Sequence, residues 1–185
     1  MNAKRRYLSA ATATAVAASS LAGDAFAGSA PIDYGDFPDS AAHLVTNYTT
    51  AGYAHDGIEY GMTELDRSDL ILSHSNTWED VLSYIMDISP SAGVFHCDVH
   101  AGAPGWWCDK SVTWFDDGIP QNQSNQLYWK AVACHELGHS GGLGERSSSD
   151  TSSCLRNPAS GSSLTFDNDD MLGFNGIRRD FPNPS

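Results

Sequence analysis

Residues 134–146 read CHELGHSGGLGER, and this stretch decides how the rest of the chain is understood. The preceding NQLYWKAVA keeps a helical period that Gly141 and Gly142 break, so the segment predicts a helix closed by a glycine turn. Histidines four residues apart lie one above the other on a single helix face, so His135 and His139 can grip one ion between them. Glu136 projects beside the pair. Two neutral imidazoles, an open coordination position and a nearby carboxylate are the parts that zinc-assisted hydrolysis requires. The stretch therefore predicts one Zn2+ site, with His135 and His139 as ligands and Glu136 as the base that moves a proton.

The chain around this motif has 185 residues, which suits one domain with a core of its own. At its start, Lys4, Arg5 and Arg6 precede an Ala-rich apolar run over residues 8–21, and the run ends near the small-residue pattern Ala25-Phe26-Ala27. This is the layout of a secretory signal peptide over residues 1–27, followed by one domain over residues 28–185. The run is too short and too alanine-rich for a membrane span, and no later stretch offers one. Arg5-Arg6 raises the twin-arginine export route, although the flanking residues fit it poorly, so Sec and Tat export both stay open.

Loss of three basic residues and Asp24 with the signal takes the formal charge from −13 to −15. Such a surface disfavours nucleic acid and anionic membrane. Its aspartates could serve Ca2+ outside the cell, but no EF-hand spacing occurs. The expected partner is a peptide or protein substrate, met by a monomer.

Export makes the four cysteines readable as disulfides, and four cysteines permit three pairings. We favour Cys97 with Cys108, stapling a short excursion between two extended segments, and Cys134 with Cys154, tying the motif helix to the chain beyond it. A four-thiol zinc site would need CxxC-like pairs, which are absent. No repeat divides the chain, and RSSSDTSSC reads as a loop.

Local patterns give a coarse order of elements. DSAAHLVTNYTT suits helix or strand, and DGIEYGMTEL alternates like a strand with Ile58, Tyr60 and Met62 on one face. SNTWEDVLSYIMDIS places Trp78, Val81, Leu82, Ile85 and Met86 at helical spacing, with Ser75 or Asn76 as cap. AGVFHCDVHA and KSVTWFDDG are β-rich runs before the motif helix. In HCDVH, the alternation of His96, Asp98 and His100 on one strand face offers a structural metal site, a completion of the catalytic one, or simply a polar outer face. Trp106, Trp107, Trp114, Tyr128 and Trp129 could line a specificity pocket, although large aromatics in a small domain are commonly core.

HELGHSGGLGE resembles the metzincin zinc-peptidase pattern HExxHxxGxxH through Gly142 and departs from it at the last ligand, where Glu145 stands. ACHELGH followed by SSCLRNPAS is similar to small secreted metzincins of actinobacterial type, and LTFDNDDMLGFNGIRRDF resembles their closing helix, so the likeness covers about residues 94–182. It implies an α/β (α+β) domain: a mixed twisted sheet with one antiparallel edge strand that binds substrate, an active-site helix and a C-terminal helix. SVTWFDD, carrying Ser111, Val112, Thr113 and Trp114, would be that edge strand, or else an ordinary strand of the sheet. Leu155 would occupy the position of the Met-turn methionine, which packs under the histidines, and Leu nearly matches its volume. Met171 aligns with the closing helix.

The same resemblance makes Gly142 the turn that returns the third ligand to the metal, and so points Glu145 at the zinc. Two histidines and a glutamate form an established catalytic zinc set, and snapalysin-like metzincins carry an aspartate at this position. An anionic ligand would weaken the Lewis acidity of the ion relative to three imidazoles. The alternative is a solvated Glu145 paired with Arg146. Three functions follow: a secreted zinc endopeptidase, a secreted binding domain that kept the fold without catalysis, and a zinc hydrolase of non-peptide bonds. No cysteine precedes Cys97, so a cysteine-switch propeptide is disfavoured.

Overall fold

The computed structural model describes residues 37–77, 79–101, 107–156 and 163–178. The expected signal peptide, Trp78 and Trp106 lie outside the described residues. Six strands, β1 (Phe37–Pro38), β2 (Ala42–Asn47), β3 (Ile71–His74), β4 (Val81–Met86), β5 (Gly93–Ala101) and β6 (Trp107–Asp116), form one sheet. Strands β3, β2, β4 and β6 run side by side and parallel, β1 lies along the start of β6, and β5 pairs antiparallel with β6. Among the described residues three α-helices accompany the sheet: α1 (Tyr53–Leu65), α2 (Gln126–Ser140) and α3 (Asn168–Arg178). This is the mixed α/β class that the sequence implies. Among the described residues no helix is long and apolar enough to cross a membrane.

The core lies between one face of the sheet and helices α1 and α2. Val45, Val81 and Phe115 meet Ile58 and Leu65 of α1 and Trp129 and Val132 of α2, all fully buried. Phe115 and Trp129 pack with ring centroids 6.5 Å apart. A second part of the same core holds α3 under the motif helix through Leu143, Leu155, Phe166 and Phe174. Phe166 and Phe174 meet edge to face at 5.0 Å.

Two expected elements are exchanged. DGIEYGMTEL is not a strand but most of α1, because Ala54, Ile58, Met62 and Leu65 form one buried helical stripe flanked by Gly57 and Gly61. Those glycines let α1 and α2 approach closely: a Cβ on Gly57 would lie 3.0 Å from the Trp129 backbone, and one on Gly61 would lie 2.9 Å from that of Ala133. Gly61→Ala is expected to lower the unfolding free energy by about 1–3 kcal/mol, despite the better helix propensity of alanine, because backbone must move. Urea unfolding measures it, and an unchanged midpoint would remove the close approach as the reason for glycine.

VLSYIM is not helix but β4, an interior parallel strand. Its second face carries Leu82, Tyr84 and Met86, which are apolar or aromatic although only partly covered, so the apolar–polar alternation that marks a strand is missing from the sequence. DSAAHLVTNYTT resolves as strand β2.

His43 on β2 is buried and hydrogen-bonds through Nε2 to Ser140 Oγ at 3.0 Å. Since the Ser140 hydroxyl donates to the Leu137 carbonyl at 2.7 Å, the His43 Nε2 carries the proton and donates. Burial pushes the His43 pKa down from 6.5 to about 4. A base depressed in the folded state contributes stability above its unfolded pKa and loses it as pH falls toward the folded value. Between pH 7 and pH 4.5 this group is expected to remove about 2 kcal/mol. Urea unfolding of wild type beside His43→Gln at both pH values reads it as the extra loss in wild type; parallel losses would sink the assignment.

Candidate metal centre

The motif helix α2 delivers both histidines to one point. His135 Nε2 and His139 Nε2 lie 3.1 Å apart, and Glu145 Oε1 is 3.2 Å from the first and 3.5 Å from the second. Each ring is fixed from behind: His135 Nδ1 lies 2.9 Å from the Cys154 carbonyl, and His139 Nδ1 lies 2.6 Å from the Leu143 carbonyl. A carbonyl accepts only, so both Nδ1 atoms carry hydrogen and both Nε2 atoms turn lone pairs toward the carboxylate.

Three lone-pair donors converging in this way can hold a cation between them. Ligands about 2.0–2.1 Å from a tetrahedral zinc stand about 3.3 Å from one another, so the observed triangle fits one face of such a site and leaves the fourth position free. Backbone carbonyls behind the imidazoles are the outer-shell partners that orient zinc-binding histidines. The residues present therefore fit Zn2+.

The turn that ends α2 builds half of this arrangement. Gly142 has φ +90°, where a side chain is strained. Its N–H donates to the His139 carbonyl at 2.8 Å, and the Leu143 N–H donates to the Gly138 carbonyl at 3.3 Å, the paired bonds of a Schellman cap. The same turn presents the Leu143 carbonyl to His139 and reverses the chain toward Glu145. Leu155 is fully buried beneath the helix: a Cβ added at Gly138, between the two histidines, would lie 2.6 Å from its Cδ2.

The disulfides pair Cys97 with Cys108 and Cys134 with Cys154. The second joins the residue before His135 to the residue whose carbonyl holds His135.

Glu136 is buried beside the two histidines, on the side of β5. A Cβ on Gly93 would lie 2.5 Å from Glu136 Oε1, so the carboxylate rests on strand backbone. Burial raises the Glu136 pKa, against the lowering effect of the two histidines and of the Phe95 backbone N–H. For Glu145 burial acts upward too, but contact with the protonated forms of His135 and His139, through hydrogen bonding and charge, overcomes it and holds the pKa down to about 2. For His139 burial lowers the pKa, and Glu145, Glu136 and the Leu143 carbonyl outweigh it, so the net direction is up.

Other expected site residues fall elsewhere. Ser111, Val112, Thr113 and Trp114 do not form an edge strand: they belong to β6, which pairs with β4 on one side and β5 on the other. Among the described residues β5 pairs with β6 alone, so the open antiparallel edge beside Glu136 is β5. His96, Asp98 and His100 do not converge, because register shifts around Val99 break the alternation, and His96 instead stacks on Trp114 with centroids 6.1 Å apart. Trp129 is core, and Tyr128 lines a cavity of about 220 Å³ with Ala92, Asp116 and Asn125. The carboxylates of Asp87, Asp116 and Asp117 form a second, more exposed group within 4.8 Å of one another. Arg146 turns away from Glu145 and onto aspartates.

Sequence reasoning missed Gly93, Phe95 and the carbonyls of Leu143 and Cys154. A backbone carbonyl has no residue signature, and only the glycine opening a β-rich run hinted that something packs against it.

No profile of a known protein family matches the chain, and no curated protein matches it in sequence. Its fold is similar to solved structures. A chain of the GM1-bound form of the ECX AB5 holotoxin matches with TM-score 0.51 and 16% identity, over 75% of this chain and 80% of that one. One structure of myroilysin matches with TM-score 0.50 and 10% identity over 83% of this chain and 92% of that one, and a second with 0.50 and 11% over 84% and 100%. At these identities the likeness is one of fold.

Proposed function

We propose that the protein is a secreted zinc endopeptidase of metzincin type. The observation that carries this is the convergence of His135 Nε2, His139 Nε2 and Glu145 Oε1 within 3.1–3.5 Å, with both imidazoles tied from behind and Glu136 buried alongside. The fold likeness to myroilysin, a peptidase, supports the same class. Two disulfides favour an oxidising compartment.

Bound zinc supplies Lewis acidity, which lowers the pKa of water toward about 7 and polarises a carbonyl. Glu136 takes the proton of the attacking water and passes it to the leaving amine, and its upward-shifted pKa suits both halves of that transfer. The open edge of β5 hydrogen-bonds an extended peptide as an added strand, which sets a scissile carbonyl over the ligand face. His135, His139 and Glu145 would hold the ion.

Metal analysis of the dialysed protein and digestion of an unfolded protein such as casein test this together. One zinc per chain with chelator-sensitive cleavage is the expected result. Zinc without cleavage would point to a binding domain, cleavage of esters alone to a non-peptide hydrolase, and absence of zinc would end the enzyme reading.

A further inference from the structure

We propose that Arg146 is a positioning residue for the ligand set, holding Glu145 against the two histidines by anchoring the neighbouring position on partly buried Asp150 and Asp167 and fully buried Asp170. The proposal rests on the metal-site reading above.

Glu145 is the weakly supported member of the set. Its side chain is 47% exposed, against 7% for His135 and 14% for His139, and it stands on a loop instead of a helix. Such a long, half-exposed carboxylate loses rotamer freedom when it is held at one place, so something must restrain its backbone. Arg146 does so on three sides. Its N–H donates to the Leu155 carbonyl at 2.9 Å, and it forms a parallel bridge with Arg156. Its Nε lies 2.8 Å from Asp150 Oδ2 and 3.6 Å from Asp170 Oδ1, and its Nη2 lies 2.7 Å from Asp167 Oδ2.

The side chain of Arg146 is 7% exposed and that of Asp170 is fully buried. The aspartates are themselves fixed. The backbone N–H groups of Asp169 and Asp170 donate to Asp167 Oδ1, each at 2.9 Å, and the Ser152 hydroxyl lies 2.7 Å from both Asp150 Oδ1 and Asp167 Oδ2.

In an extended segment successive side chains point to opposite sides. With Arg146 locked onto the start of α3, Glu145 is turned the other way, toward the ring nitrogens. The bridge partner segment also contains Cys154, whose carbonyl orients His135, so one short strand of chain registers both a ligand ring and the ligand carboxylate. The histidines need no such device because α2 carries them.

The test is a double-mutant cycle read as zinc affinity by chelator competition, on wild type, Arg146→Met, Glu145→Ala and the double variant, all checked for native circular dichroism. Arg146→Met is expected to weaken zinc binding about 10–100-fold, the range for an outer-shell partner. In the Glu145→Ala background the same change should alter affinity less than about threefold, because its route to the metal is gone. The visible absorption of the Co2+ form should change in Arg146→Met alone but not between Glu145→Ala and the double variant. A lower melting temperature with unchanged affinity and cobalt spectrum would mean a purely structural clamp and would overturn the proposal, as would equal weakening in both backgrounds. If Arg146→Met does not fold, Asp150→Asn loosens the same anchor while leaving α3 capped, and the same cycle applies. Wild type that binds no zinc would overturn the parent reading and this one together, whereas wild type that binds zinc insensitively to Arg146 would overturn this one alone.

Discussion

Glu136→Gln is expected to keep zinc at wild-type stoichiometry and lose cleavage by about 10²–10⁴-fold, the usual share of general acid–base catalysis. Glutamine matches glutamate in shape, so the packing against Gly93 survives and the contact of β5 with α2 is preserved. What disappears is a carboxylate that can hold a proton between its arrival from water and its departure to the amine. The loss should fall on kcat, since Glu136 is not among the three converging donors. Two measurements on one preparation decide it: zinc content and the initial rate of peptide cleavage. Retained activity would remove Glu136 from the proton path; lost zinc would mean that the substitution acted through the ligand set. Cleavage should also fail on acidification, as the base is protonated. Burial moves that failure to higher pH than an exposed carboxylate would give.

Much of this site is written locally. His135, Glu136 and His139 share one helix, the glycines that stop it are adjacent, and the spacing to Glu145 is short enough for one turn to close. The cysteine pairs were legible for a related reason: each closes a short loop, of sequence separation 11 and 20. The interior sheet was not legible. An interior parallel strand such as VLSYIM carries apolar residues on both of its faces, and nothing in those six residues distinguishes it from a turn and a half of core helix. The error over α1 has the opposite origin. Ile58, Tyr60 and Met62 alternate by accident, while Gly57 and Gly61, which give the helix its contact face, read in sequence as breakers.

The edge strand could not be read locally at all, because edge and interior differ only in what lies alongside. SVTWFDD and GVFHCDVHA have similar β-rich compositions, and the pairing of β6 with β4 on its far side decides which of them faces solvent. The supports of the site are distant in the same sense. Arg146 meets aspartates 21 and 24 positions away, and His43 reaches Ser140 across 97. A resemblance resting on the motif pointed to the three side chains that converge, whereas the residues that hold them in place emerged only from the tertiary structure.

Glu145→Ala is expected to lower zinc affinity by well over 100-fold, beyond the 10–100-fold assigned to outer-shell partners, since it removes one of three donors. Two histidines at i and i+4 remain, so weak binding at high zinc concentration should persist. The electrostatics point the same way. Contact with the two imidazoles in their protonated forms holds the Glu145 pKa down to about 2, so near neutral pH it is an anion and needs no proton loss to bind a cation. The pH dependence of zinc binding should therefore follow the histidines, with affinity falling as their Nε2 atoms take up protons. Glu145→His separates charge from geometry. If the loop places any donor on the ligand face, histidine should restore zinc binding and, as a neutral ligand, leave the ion the stronger Lewis acid. If restoration fails, the reach of the carboxylate is the requirement. Equal zinc retention by wild type and Glu145→Ala would remove Glu145 from the ligand set and leave its 3.2 Å contact with His135 as an ordinary ion pair.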